Sequence, residues 1–255
     1  MKVNWKKILL ATTNVALGIY LVLAVTAFNK PDESENTCTQ VEVIINKTDV
    51  NGFLDANEIS NILKQNDIYP LAQNINSIDI RNIEETLTAN PLIKNVECYK
   101  TISHKVVIMV TQRMPVVRVK TEKGDDYYID NEGNVMPRTK YTTNLMIATG
   151  NINRNFACKK LVPLVNTIIN NRFWHNQIVQ FNVLDDGSIE LIPRVGEHVI
   201  CIGEPVNVNE KLKRIEKFYK YGLNEAGWNK YSYINVEFDN QIICTKKKNK
   251  KKYNV

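Results

Sequence analysis

Residues 96–119 read VECYKTISHKVVIMVTQRMPVVRV, and this stretch decides the fold. It begins with two runs typical of β-strands, 96–100 and 105–112, separated by a short turn. Beyond Pro115 the chain changes to shorter strands divided by turn residues. The change predicts two domains, which we call the α+β domain (38–113) and the β domain (114–245).

Upstream of these strands, the sequence first alternates and then takes on helical spacing. Val41, Val43 and Ile45 place an apolar side chain at every second position, as a half-buried strand does. Asp55 provides an N-cap with Glu58 three residues later, which predicts a helix that begins with a capping box. A second helical stretch, 80–87, ends before Pro91. The order β-α-α-β-β predicts a compact α+β unit in which two helices lie on a three-stranded sheet.

The β domain is predicted to be dominated by short strands and to contain two helices. The helices are expected at 156–170, which includes Pro163, and at 209–223, where Glu210 and Arg214 have the spacing of an i,i+4 pair. The strands are expected at 116–119, 127–130, 145–149, 178–184, 189–192, 198–202, 231–238 and 241–245.

The N-terminal region has the pattern of a membrane anchor. Residues 8–28 form a run of 21 residues without a charge, enough for a helix of about 31 Å that crosses a bilayer. Lysines precede the run and acidic residues follow it, which places residues 1–7 in the cytoplasm and everything after the helix outside. A short acidic linker, 29–37, follows. The alternative is a cleaved signal peptide, but its apolar region spans only about 7–15 residues, so the length favours a retained anchor.

The net charge of +6 is concentrated at the C-terminus. Six of the 33 basic residues lie between 246 and 252, and the remaining 27 equal the number of acidic residues. The body of the protein is therefore neutral, and a nucleic-acid partner is not expected. Residues 246–255 are predicted to be a disordered basic tail, with an anchor for an anionic surface as the alternative.

The sequence contains no recognisable motif for catalysis, metal binding or cofactor binding. Its five cysteines lie far apart without a C-x-x-C pair, and its three histidines, His104, His175 and His198, match no metal-ligand spacing. Nucleophile elbows, Walker A and G-x-G-x-x-G motifs are absent. The run Asp130-Asn131-Glu132-Gly133 resembles part of a calcium loop, but a hairpin turn explains it better. We therefore predict no catalytic residue, metal site or cofactor.

An ordered set of motifs runs along the chain after the predicted anchor. The chain carries V-x-x-R-x-P-x-x-R at 110–118 and Y-x-I-D-x-x-G-x-x-x-P at 127–137. Further segments are LIPRVG at 191–196, GWNKY at 227–231 and QIIC at 241–244. This ordered set resembles FtsQ, a bitopic bacterial cell-division protein, in its Bacteroidetes-type form, and the α+β unit is similar to a POTRA domain. The resemblance covers nearly all of the chain after the predicted anchor.

This resemblance implies a non-catalytic scaffold of the divisome, anchored in the inner membrane at the division septum. It implies that the β domain binds the FtsB–FtsL coiled-coil pair, largely through the last strand, with contacts around Phe238, Asn240 and Gln241. FtsW/FtsI-like and FtsK-like proteins are further candidate partners. The alternative is an envelope export or outer-membrane assembly factor, because POTRA units also bind substrate chains in such proteins.

The position of the last strand supports the same site independently. We expect no later strand to cover the outer side of 241–245, and its residues Ile242, Ile243 and Cys244 are apolar. An uncovered apolar edge presents unpaired backbone groups that another chain can join. The alternative is an interior strand whose apolar side chains only fill the core.

Overall fold

The computed structural model describes residues 5–28, 36–46, 53–139 and 145–247. Its first element is the helix α1 (Trp5–Phe28), which is about 36 Å long at 1.5 Å per residue. The window Leu9–Thr26 has a mean hydropathy of 1.9, and none of it is buried against the protein. The helix is therefore long and apolar enough to cross a membrane, as a single-pass protein requires.

The α+β domain has the predicted β-α-α-β-β order. Its elements are β1 (Gln40–Ile45), α2 (Ala56–Gln65), α3 (Ile80–Thr88), β2 (Ile93–Lys100) and β3 (Lys105–Gln112). The central strand β3 pairs with β1 in parallel and with β2 antiparallel. Ile59 and Leu63 of α2 and Leu87 of α3 are fully buried in the domain core. The prediction for this domain is confirmed.

Side-chain hydrogen bonds cap the start of α2 and occupy one backbone donor at a sheet edge. Asp55 and Glu58 form the predicted capping box, with bonds of 2.8 and 3.0 Å. Glu84 of α3 accepts the backbone N–H of Cys98 at 2.7 Å. Because β2 is an edge strand, this carboxylate occupies a donor that would otherwise be free to pair with another chain.

The β domain is a nine-stranded mixed sheet packed against helices. Its strands are β4 (Pro115–Thr121), β5 (Asp126–Asp130), β6 (Val135–Pro137), β7 (Met146–Gly150), β8 (Ile178–Val183), β9 (Ile189–Pro193), β10 (Val199–Gly203), β11 (Tyr231–Asn235) and β12 (Ile243–Lys246). They lie in the order β12-β11-β10-β9-β8-β7-β4-β5-β6. The mixed α+β architecture agrees with the predicted fold class.

The two helices predicted for the β domain are divided into shorter α-helices by π-helical segments. They are α4 (Arg154–Phe156), α5 (Val162–Ile169), α6 (Arg172–Gln177), α7 (Val208–Lys217) and α8 (Asn224–Ala226). A π-helical segment, Ala157–Leu161, joins α4 to α5, and a second one, Phe218–Leu223, joins α7 to α8. The first π-segment ends two residues before Pro163, whose ring and missing N–H are incompatible with a continuous α-helical ladder. The short helix α6 was not predicted.

Buried contacts join the two domains. Phe53 from the α+β domain packs with Tyr128 and Met136 of the β domain in a small core. The buried side chain of Gln112 accepts from the N–H of Phe53 at 2.7 Å and donates to the carbonyl of Leu54 at 2.6 Å. Since Gln112 ends β3 just before β4 begins, these contacts fix the connection between the domains.

Candidate functional site

Strand β12 lies at one end of the nine-stranded sheet. It pairs antiparallel with β11, with Asn235 opposite Ile243 and Tyr233 opposite Thr245. Over the ranges that the structure describes, no strand pairs with its other side. The last strand is therefore an edge strand, as the sequence suggested.

The hydrogen bond that follows β12 shows which backbone groups face outward. The N–H of Lys247 donates to the carbonyl of Lys230 at 2.9 Å, toward β11. Because residues of an antiparallel strand alternate between facing their partner and facing away, Ile243 and Thr245 face β11. The backbone N–H and C=O groups of Cys244 and Lys246 consequently face outward, on the side where no strand in the described part of the chain pairs with β12.

Apolar side chains flank this open edge on both faces of the sheet. Ile242 and Cys244 are half-buried and pack against the edge of the domain core. Ile243 and Phe238 are each 48% exposed. A strand added outside β12 would cover part of this apolar surface while it completes the backbone pairing.

The predicted extent of the last strand is wrong at both ends. Phe238, Asn240, Gln241 and Ile242 precede β12 in the connection from β11, and Lys246, assigned to the tail, is part of the strand. The reason is a turn in which Asn240 adopts a left-handed conformation with φ of +59°. Pairing resumes only at residue 243, so the six candidate residues divide between a turn and the strand. Residues 248–255 of the predicted tail lie outside the described residues.

Two cationic side chains of α7 bind backbone carbonyls at the ends of β10 and β11, a role that the sequence did not predict for them. Arg214 donates to the carbonyl of Val236 at 2.7 Å. The buried Lys211 donates from Nζ to the carbonyls of Ile202 at 2.7 Å and Glu204 at 2.9 Å. Burial lowers the pKa of Lys211. These bonds tie the ends of β10 and β11 to the helix, and the bond from Arg214 holds the first residue of the connection to β12.

A close approach at Gly203 fixes the same end of the sheet. Gly203 has a φ of +62°, and an added Cβ would lie 2.5 Å from Cγ of Glu237. Glu237 also donates its backbone N–H to Oδ1 of Asn235 at 2.8 Å. Arg214 therefore holds Val236, while Gly203 and Asn235 both contact Glu237, and these three contacts constrain the chain that leaves β11.

The histidines and cysteines form no common site. His198 is buried, and its Nε2 lies 2.6 Å from the hydroxyl of Tyr219 in an aromatic cluster. Burial lowers the pKa of His198. All five cysteines carry free thiols. Within the described ranges, no group of three or more His, Cys, Asp or Glu side chains could hold a metal ion.

Within the described residues, the fold and the edge define a class: a protein with an N-terminal helix long and apolar enough to cross a membrane, a small α+β domain and a β domain that ends on an open strand. Comparison with known proteins refines this class. A family model described as FtsQ/DivIB, C-terminal related, matches residues 114–245, and a POTRA-like domain model matches residues 36–111. The cell division protein DivIB of Clostridium tetani (strain Massachusetts / E88) is 26% identical over 192 residues, which cover 68% of this chain and 69% of that protein. The chain belongs to the FtsQ/DivIB family.

Proposed function

We propose that this protein is a non-catalytic scaffold of the cell-division machinery at the septum, and that it binds a partner by strand addition to β12. The observation that carries the proposal is the open edge, with the backbone groups of Cys244 and Lys246 directed outward. Strand addition derives affinity from main-chain hydrogen bonds and specificity from the side chains beside them. The membership in the FtsQ/DivIB family supports the role in cell division.

The proposed partner is the FtsB–FtsL type of coiled-coil pair, with an extended segment of the FtsB-like chain beside β12. Phe238, Asn240, Gln241 and Ile242 would contact the same segment from the turn, while Ile243 and Cys244 would contact it from the strand. FtsW/FtsI-like and FtsK-like proteins remain further candidates for other surfaces.

The proposed topology places the N-terminus in the cytoplasm and both domains in the periplasm. Its support is the distribution of charge around the uncharged run 8–28 of α1, with lysines before the run and acidic residues after it. The alternative function, an envelope-assembly factor, rests on the POTRA-like domain alone. The family match over residues 114–245 favours the division scaffold.

Proline substitution on β12 tests strand addition. Lys246→Pro removes one outward N–H from an exposed position, so the protein is expected to fold but to bind a purified FtsB–FtsL-like pair about tenfold more weakly or worse. Lys246→Ala retains the N–H and should weaken binding by a much smaller factor. Calorimetric titration measures both affinities, and circular dichroism checks folding.

A proline at a β12 position whose N–H faces β11 provides the matched control. Ile243→Pro removes an N–H that faces β11, so it is expected to lower the unfolding temperature as well as affinity. Wild-type affinity in a folded Lys246→Pro variant would show that the partner binds elsewhere.

A further inference from the structure

Two loops at one end of the α+β domain present large apolar side chains to solvent. Ile102 is fully exposed in the turn between β2 and β3, and Leu71 is 45% exposed in the connection from α2 to α3. Side chains of this size at loop tips contribute nothing to the domain core. Neither side chain belongs to the core cluster of the domain, so a surface that covered them would remove apolar area from water.

Both loops are hydrogen-bonded to the segment through which the chain enters the domain. The N–H of Thr39 donates to the carbonyl of His104 at 2.9 Å, beside the tip that carries Ile102. The N–H of Ala72 donates to the carbonyl of Cys38 at 2.9 Å, directly after Leu71. The two apolar tips therefore flank the entering chain, one on each side of it.

The entering chain comes directly from the membrane helix. Seven residues, 29–35, separate Phe28 from Asn36. Even a fully extended connection of this length spans at most about 28 Å. The end of the domain that carries the two tips therefore lies within about 28 Å of the end of α1 and can reach the bilayer that α1 crosses.

The strand directions place the β domain at the opposite end. β1 and β3 are parallel, so both begin beside the two tips and run away from them for about 20 Å. β3 then leads directly into β4 of the β domain. The tips are therefore the part of the two-domain body that lies toward the membrane.

We propose that Leu71 and Ile102 insert into the headgroup region of the bilayer that α1 spans, so that the α+β domain rests on the lipid surface. Lys100 and Lys105 flank the hairpin tip, and an apolar tip with basic neighbours suits the interface between acyl chains and headgroups. This contact orients both domains relative to the membrane. It is independent of the partner proposed for β12.

Tryptophan substitution in the full-length protein tests this contact. Ile102→Trp and Leu71→Trp are placed separately at exposed positions, and the protein is reconstituted in phosphatidylethanolamine–phosphatidylglycerol nanodiscs. Fluorescence is compared with that of the parent chain to subtract its three native tryptophans. The added indole is expected to emit at shorter wavelength than in water and to be quenched by lipids brominated near the headgroup.

Val206→Trp is the matched control, because Val206 is an apolar residue of the β domain that is 55% exposed. Its emission should resemble that of indole in water and should not respond to brominated lipid. The proposal is overturned if the tryptophans at 71 and 102 behave like the control. Quenching at only one position would restrict the contact to that loop and would contradict the insertion of both.

Discussion

Asp130→Ala is expected to lower the free energy of unfolding by about 3 kcal/mol, because it leaves several donors without their common acceptor. The Asp130 carboxylate is 2% exposed and accepts from Arg113 at 2.9 Å and from the backbone N–H groups of Glu132 at 3.0 Å and Asn134 at 2.8 Å. Arg113 lies between β3 and β4, so the carboxylate braces the domain junction as well as the hairpin turn. Urea denaturation followed by tryptophan fluorescence measures the change.

The same carboxylate predicts a loss of stability in acid. Burial tends to raise the pKa of Asp130, but hydrogen bonds from Asn134, Arg113 and Glu132 outweigh it and leave the pKa below its ordinary value. A carboxyl with a depressed pKa stabilises the folded state above its unfolded pKa of about 3.9, and this contribution disappears as the pH falls through the folded pKa. The Asp130→Ala variant should therefore depend less on pH below about 4 than the parent.

Glu132→Ala is the control for the Asp130 prediction. Glu132 also pairs with Arg113, at 3.7 Å, but its side chain is half-exposed. A pair of this kind contributes at most about 1 kcal/mol. Equal losses for the two variants would mean that the buried hydrogen bonds of Asp130 do not stabilise the junction.

Gly150→Ala is expected to destabilise the β domain by about 2–4 kcal/mol, through both backbone strain and a steric clash. Gly150 ends β7 with a φ of +100°, and an added Cβ would lie 2.1 Å from the carbonyl oxygen of Val183. Since Val183 belongs to the neighbouring strand β8, relief requires two central strands to separate. The loss should appear as a lower urea midpoint.

Gly124→Ala separates the two causes. Gly124 has a similar φ of +92°, but nothing lies within 4 Å of its added Cβ. The control variant therefore experiences only the backbone strain, about 1 kcal/mol. If Gly150→Ala costs no more than Gly124→Ala, the close approach of β7 to β8 is not a constraint on the fold.

The α+β domain was predictable because its signals are local. The capping box at Asp55 and Glu58 acts within one helical turn, and the alternation over residues 41–45 is read directly from neighbouring side chains. Helix α6 of the β domain, by contrast, could not be predicted from a local pattern. It has six residues, too few for a helical period to emerge, and it begins where Asn171 caps the N–H groups of Phe173 and Trp174.

The candidate site was only partly predictable, because its geometry depends on distant contacts. Sequence order places β12 last in the chain, but no local pattern states which backbone groups face outward. Arg214 has the spacing of a pair with Glu210, yet it donates from α7 to the carbonyl of Val236, directly after β11. Lys211 has the pattern of a solvent-exposed helical lysine, and only the packing of α7 on the end of β10 buries it.

Amide hydrogen exchange resolved to single residues is the most direct test of strand addition to β12. In the free protein, the N–H groups of Cys244 and Lys246 should exchange fast, while those of Ile243 and Thr245 are protected by β11. With a saturating FtsB–FtsL-like pair, we expect the Cys244 and Lys246 amides to become protected and the other two to change little. If both outward amides still exchange at their free rates in the saturated complex, no strand has been added to β12.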